Sequence, residues 1–180
     1  MKIRAYRSED APQIWAIYEP VVANSIATFE YEIPELTNFL QRLAAIAGRF
    51  PFLVAEDDAG NILGYAYGSS HRERVAYQWA VETSVYVKDS GKGVGRALYN
   101  ALLSQLTDRG FVWAYGVITQ PNPASVALHE ASGYVGFATY KAAGQKFGEW
   151  HDVYWMRKML NHPNSRQSAP IFKPAVDPNP

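Results

Sequence analysis

Residues 81–98 read VETSVYVKDSGKGVGRAL, and the way this stretch folds decides the architecture of the chain. The β-branched and aromatic content from Glu82 to Val87 predicts a strand. Gly91, Gly93 and Gly95 then interrupt it, and Leu98, Ala101, Leu102 and Gln105 continue at helical spacing to a stop near Gly110. Glycines let the main chain take positive φ and approach a ligand closely, and the unpaired N–H groups of a helix start form a concavity for phosphate oxygens. The plainer alternative is a flexible strand-to-helix turn with incidental glycines.

Before this stretch, residues 2–6 predict a short strand. Ser8 is a candidate helix N-cap, with Glu9 and Asp10 in the first turn where they suit the helix dipole. Ile14, Ile17 and Tyr18 give a first helical stripe; Leu36, Phe39, Leu40 and Leu43 give a second, closed by Gly48. FLVAE and ILGYAYG flank DDAGN, which predicts a hairpin. After it come a strand in VWAYGVI, a short helix from Asn122 to Ala131 closed by Gly133, and strands near 134–142 and 152–158. The order βααβββαβαββ, without internal repeat, is that of an α/β (α+β) domain with one mixed sheet and helices on both faces. It occupies residues 1–160. Residues 161–180 carry five of the 11 prolines and no apolar period, which predicts a tail or an extended arm docked on a partner subunit.

Composition narrows the function. The 180 residues are 48% hydrophobic and 19% charged, with Lys+Arg and Asp+Glu both at 17. No global basic field attracts nucleic acid or an anionic membrane, so neither is expected as a partner. There is no cysteine, which removes disulfides, thiolate metal sites and a cysteine nucleophile. His71, His151 and His162 lack ligand spacing, so no metal site is expected. No secretory h-region or membrane-length apolar run is present, and a cytoplasmic location is the default expectation.

Three phosphate-bearing ligand classes compete for the glycine turn. A P-loop needs Lys followed by Ser or Thr, yet Lys92 precedes Gly93 and Val94. A dinucleotide fingerprint needs its third glycine one residue later and an acidic residue at a following strand end, whereas Asp108 lies at a helix end. The remaining class is coenzyme A. Here the turn resembles motif A of the GNAT acyltransferase superfamily. More narrowly, ETSVYV, GFVWAYGVITQPNPASVALHEASGY and AAGQKFGEWHDV resemble its phosphinothricin N-acetyltransferase branch, over about residues 2 to 160. The resemblance implies the GNAT fold with a mostly antiparallel sheet, acetyl-CoA as co-substrate, a small amino-acid analogue as acceptor and a homodimer. Ser90 stands where the superfamily carries Gln or Arg; Lys92 and Arg96 supply positive charge nearby.

Acetyl transfer to an amine needs a neutral nucleophile, a polarised thioester carbonyl and a proton for the departing sulfur. By resemblance, Glu82 is the general base; a solvated strand-end glutamate is the bland alternative. His129 stands where many superfamily members carry a tyrosine that protonates the thiolate, and suits either proton donation or a relay. Val85, Tyr86 and Val87 offer main-chain groups to the pantetheine arm. Gly91, Lys92, Gly93, Val94, Gly95 and Arg96 face the diphosphate. Asn122 matches a pantetheine contact, and an N-cap role explains it equally. Arg72 and Arg74, two apart, project to the same side of an extended segment and bind carboxylate or phosphinate bidentately; the alternating Arg-Glu-Arg also reads as a solvated surface. The resemblance places them in the expected acceptor set with Tyr77, Ser84 and Phe29, Phe29 being otherwise a core residue.

The expected activity is transfer of acetyl from acetyl-CoA to the amino group of phosphinothricin or methionine sulfoximine. A non-catalytic acyl-CoA-binding regulator and a protein N-acetyltransferase are the alternatives.

Overall fold

The structure, a computed structural model, describes residues 1–164 and 168–178. Seven strands and four α-helices follow one another in the order read from the sequence: β1 (Lys2–Ala5), α1 (Ala11–Asn24), α2 (Leu36–Ala47), β2 (Phe52–Glu56), β3 (Ile62–Ser70), β4 (Ala80–Val87), α3 (Val94–Asp108), β5 (Trp113–Thr119), α4 (Pro123–Ala131), β6 (Val135–Lys146) and β7 (Glu149–Met159). They form one sheet in the order β1-β2-β3-β4-β5-β7-β6. All neighbours are antiparallel except β4 and β5.

Period-2 alternation sorts the side chains between two cores. Leu53, Ala55, Ala66 and Val81 face α3, where Leu98, Leu102 and Leu106 are fully buried. Phe52, Val54 and Tyr65 face α1 and α2, meeting Ile14, Ile17, Tyr18, Phe39 and Leu43. Burying each such leucine or phenylalanine is worth about 1.5–3 kcal/mol relative to water. The sheet is therefore held from both sides along β2, β3 and β4, and β4 is a rigid platform.

Two local expectations change. Ser8 does not cap α1: it opens a single 3-10 turn, Ser8–Asp10. Asp10 is buried, accepts the Arg7 N–H at 2.8 Å and pairs with Arg4 at 2.7 Å. A carboxylate committed to a buried guanidinium is a structural bridge between β1 and α1, not a solvated dipole partner. The last two strands are longer than their sequence reading, because β6 and β7 form a hairpin closed by Phe147 and Gly148, both at positive φ (53° and 82°).

Of the tail, residues 165–167 and 179–180 lie outside the described residues. The remainder returns along its own chain. Phe172 packs on Phe50 and Phe111 at 5.5 Å centroid distance, the Ile171 N–H donates to the Arg109 carbonyl at 2.9 Å, and Asp177 accepts the Ala5 N–H at 2.7 Å.

Candidate active site

The parallel pair is where the sheet opens. β4 and β5 are in register only at Ala80↔Trp113, Val81↔Ala114 and Glu82↔Tyr115. Beyond them β4 continues to Val87 and β5 to Thr119 without pairing each other, so the β5-facing edge of Thr83–Val87 keeps main-chain groups for another partner. The wedge between the strands leads into a cavity of about 450 Å³. Its walls are β4, the glycine turn, the start of α3, the end of β5 and α4. One end of it is the N-terminus of α3. Gly91 and Gly93 take φ of 80° and 76°, a region L side chains avoid, and no side chain caps the helix at Gly93. Its first N–H groups and the positive end of its dipole are thus directed into the cavity, suited to an anion.

Every residue expected to touch the acyl carrier lines this cavity: Val85, Tyr86, Val87, Gly91, Lys92, Gly93, Val94, Gly95, Arg96 and Asn122. Ser84 and His129 line it too. Asn122 lines the cavity and also caps α4, its side chain accepting the Ser125 N–H at 3.1 Å. Of the two cations, Lys92 pairs with exposed Asp89 at 3.0 Å, whereas Arg96 is exposed and has no ion-pair partner among the described residues.

His129 is buried on the α3 side of the sheet. Its Nδ1 lies 2.8 Å from the Ser125 carbonyl, which can only accept, so Nδ1 carries a hydrogen. Nε2 is 2.9 Å from the Tyr99 hydroxyl, whose one hydrogen is shared between this nitrogen and the Thr83 carbonyl at 3.5 Å. Burial lowers the pKa of the imidazole, partly opposed by the bond to the Ser125 carbonyl, and so favours the neutral ring. Burial likewise raises Tyr99 well above an ordinary phenol. The sequence reading missed Tyr99, and it missed Gly116. A Cβ on residue 116 would sit 2.4 Å from His129 Cδ2 and 2.5 Å from Nε2. The signal was present: a glycine inside the strand VWAYGVI marks close approach of another group.

Glu82 shares its face of β4 with Ser84 and Tyr86 but is absent from the cavity lining; its carboxylate is 3.0 Å from Nδ1 of His71. Of the acceptor candidates, only Ser84 lines the cavity beside the glycine turn. Arg72, Arg74 and Tyr77 share a separate hollow of about 260 Å³ with Arg49, Phe50 and Phe172. Tyr77 also borders a third, of about 360 Å³, with His71, Trp79, Trp113 and Tyr115. Arg72 and Arg74 are exposed and line one hollow, but the segment bends instead of running extended, so the period-2 spacing argument does not account for it. Phe29 is elsewhere: it covers Gly144, where a Cβ would come within 2.4 Å of the ring, and it tilts against His151 at 6.5 Å. Lys146 anchors that corner. Its buried ammonium donates to the carbonyls of Val22, Ser25 and Thr28 at 2.8, 2.8 and 2.9 Å, tying the segment after α1 to the β6–β7 hairpin.

Comparison with known proteins gives a consistent answer. The family described as Acetyltransferase (GNAT) domain matches residues 3–155. A phosphinothricin N-acetyltransferase of Alcaligenes faecalis is 40% identical over 166 residues, covering 88% of this chain and 82% of the relative. An L-methionine sulfoximine/L-methionine sulfone acetyltransferase of Pseudomonas paraeruginosa is 36% identical, covering 84% and 90%. The crystal structure of a GNAT superfamily phosphinothricin acetyltransferase from Sinorhizobium meliloti in complex with AcCoA superposes with a TM-score of 0.86 at 35% identity, over 92% of this chain and 94% of that one.

Proposed function

The chain belongs to the GNAT acetyltransferase family, and from that premise we propose that it moves an acetyl group from acetyl-CoA to the amino group of a small amino-acid analogue, phosphinothricin or methionine sulfoximine. The observation that carries the reading is the wedge between β4 and β5 ending on an uncapped helix N-terminus. An extended arm with amide groups fits an unpaired strand edge, and a diphosphate fits the helix start.

Acetyl-CoA supplies the acetyl group as a thioester; the chain supplies the rest. Main-chain groups of Val85, Tyr86 and Val87 align the carrier arm, and residues 91–96 hold its phosphates. Glu82 takes the proton of the acceptor ammonium, so the amine attacks with a free lone pair. The C–N bond forms, the C–S bond breaks, and the sulfur takes up a proton equivalent to the one nitrogen gives up. Because burial favours neutral imidazole, we assign His129 to a relay through the Tyr99 hydroxyl and not to a standing imidazolium acid. Arg72 and Arg74 attract the anionic end of the acceptor.

We also propose a homodimer and a cytoplasmic site of action, with residues 1–160 as the catalytic domain and 161–180 as an appended arm. Support for the dimer comes from the sheet face of β5, β7 and β6 opposite α3, where register puts Val117, Val135, Tyr140 and Met159 on one side. All four are exposed, Val135 at 62%, an arrangement typical of an interaction surface. Among the described residues no helix is long and apolar enough to cross a membrane.

The test is thiol release from acetyl-CoA across phosphinothricin, methionine sulfoximine, methionine sulfone and ordinary amino acids. Turnover with the first three is expected. Acetyl-CoA binding without turnover on any amine would instead support a non-catalytic regulator.

A further inference from the structure

The sequence leaves His71 without a role, yet the structure packs its ring among three aromatic side chains on the acceptor side. We infer that His71 is a positioning residue for Glu82: its Nδ1–H holds one carboxylate oxygen so that the other is presented to the amine. The inference rests on the reading of Glu82 as base and adds the group that makes that base a fixed one.

The bond runs from His71 Nδ1 to Glu82 Oε1 at 3.0 Å. An ionised carboxylate only accepts, so the ring must carry a hydrogen on Nδ1. Oε2 of Glu82 has no hydrogen-bond partner among the described residues, and the Glu82 side chain is 30% exposed against 12% for His71. One oxygen is held and the other is accessible.

The ring cannot swing away. It stacks on Tyr115 at 4.5 Å with an interplanar angle of 19°, and meets Tyr77 and Trp155 edge-on, each at 6.0 Å. These contacts come from three parts of the fold: β5, β7 and the turn at Val75–Tyr77. A mobile surface His–Glu pair is worth little because both side chains lose entropy to meet; here packing has already fixed the donor. The topology explains the encounter. Ser69 lies opposite Glu82 in the β3–β4 ladder, and residue 71, two further on, keeps the same facing as the chain leaves the sheet.

In the reaction the N–H bond of the ammonium breaks and an O–H bond forms on Glu82. His71 neither gains nor loses a proton. It contributes by removing the rotational freedom of the carboxylate and by a charge-assisted bond to its ionised form.

The experiment compares His71→Phe, which keeps a flat ring for stacking and has no donor, with His71→Asn, whose amide N–H can replace Nδ1–H. His71→Phe should lower kcat about 10–100-fold with the KM for acetyl-CoA unchanged, and His71→Asn should return to within about threefold of the parent. Unchanged kcat in His71→Phe, or equal losses in both variants, overturns the inference. A second readout uses the unsubstituted protein: imidazole ¹⁵N NMR should show a hydrogen on Nδ1 of His71, and an unprotonated Nδ1 overturns it. Glu82→Gln separates the two readings. Impaired Glu82→Gln beside fully active His71→Phe removes His71 alone, whereas fully active Glu82→Gln removes both.

Discussion

The donor side and the acceptor side proposed for β4 are built differently. On the donor side, the strand end, the glycine turn and the start of α3 are consecutive in sequence, and residues 83–87, 89–96 and 99 line one cavity. On the acceptor side, His71, Arg72, Arg74, Tyr77 and Glu82 fall within residues 71–82, yet the fold spreads them over two separate hollows and the His71–Glu82 pair, and Phe29 sits apart in a packed corner. A site made of neighbours in the chain is encoded locally, by positive-φ glycines and a helix start. A site made by register and packing is encoded in the whole fold. Variants on the two sides should therefore fail in different ways: donor-side changes in affinity for acetyl-CoA, acceptor-side changes in turnover or in KM for the amine.

The largest effect belongs to Glu82→Gln. The change removes the proposed proton acceptor while preserving shape, so kcat should fall by about 10²–10⁴ at neutral pH, with acetyl-CoA affinity by calorimetry unaltered. Parallel losses in both would erase the distinction between the two sides of β4.

Gly116→Ala comes next, because the new methyl group enters the space of the His129 ring and a paired strand cannot retreat. Overpacking of this kind costs about 1–3 kcal/mol, measurable as a lower urea midpoint, and the displaced ring should lose its bond to Tyr99 and slow turnover. The same burial has a pH signature. His129 has a lowered pKa in the folded protein, so below about pH 6.5 the unfolded chain binds the proton more readily. Stability conferred by keeping His129 neutral is present above that pH and is lost as pH falls toward the folded-state value. Urea midpoints between pH 7.5 and 5 should decline, less steeply in His129→Asn.

Arg74→Ala is the smaller acceptor-side change. It should raise KM for an anionic amine about tenfold and leave KM for acetyl-CoA alone. Equal rises in both would mean that the hollow around Arg72 and Arg74 serves the carrier, or neither substrate.

The same contrast decides what the sequence made legible. The eleven-element order was readable because apolar periods and turn residues are local, and the carrier cavity followed from one motif. Ser8 was misread because capping preference is weak beside the buried Arg4–Asp10 pair, whose geometry no local pattern shows. Tyr99 escaped notice because at helical spacing it is indistinguishable from core. The His71–Glu82 pair depends on the β3–β4 register, and the Lys146 clamp joins groups at least 118 positions apart. Those partners are fixed by topology, and residue type alone does not disclose them.

The finest test lies on the donor side, where the two cations beside the helix start are unequal. Lys92 shares its charge with Asp89 across an exposed 3.0 Å pair, while Arg96 does not. Asp89 has its pKa lowered by hydrogen bonding and attraction from Lys92, so at neutral pH the carboxylate stands ionised next to the phosphate site. It competes with the ligand for Lys92 and repels the phosphates directly. Asp89→Asn should therefore tighten acetyl-CoA binding, by only about two- to fivefold because solvent screens exposed charges. The gain should shrink as salt rises from 0.05 to about 0.5 M, where the Debye length falls to a few ångströms. Lys92→Ala should weaken binding by a similar small factor, and Arg96→Ala by more, since Arg96 has no carboxylate to release. If Asp89→Asn weakens binding instead, the carboxylate is holding Lys92 in place for the phosphates, and the pair is part of the donor site's architecture.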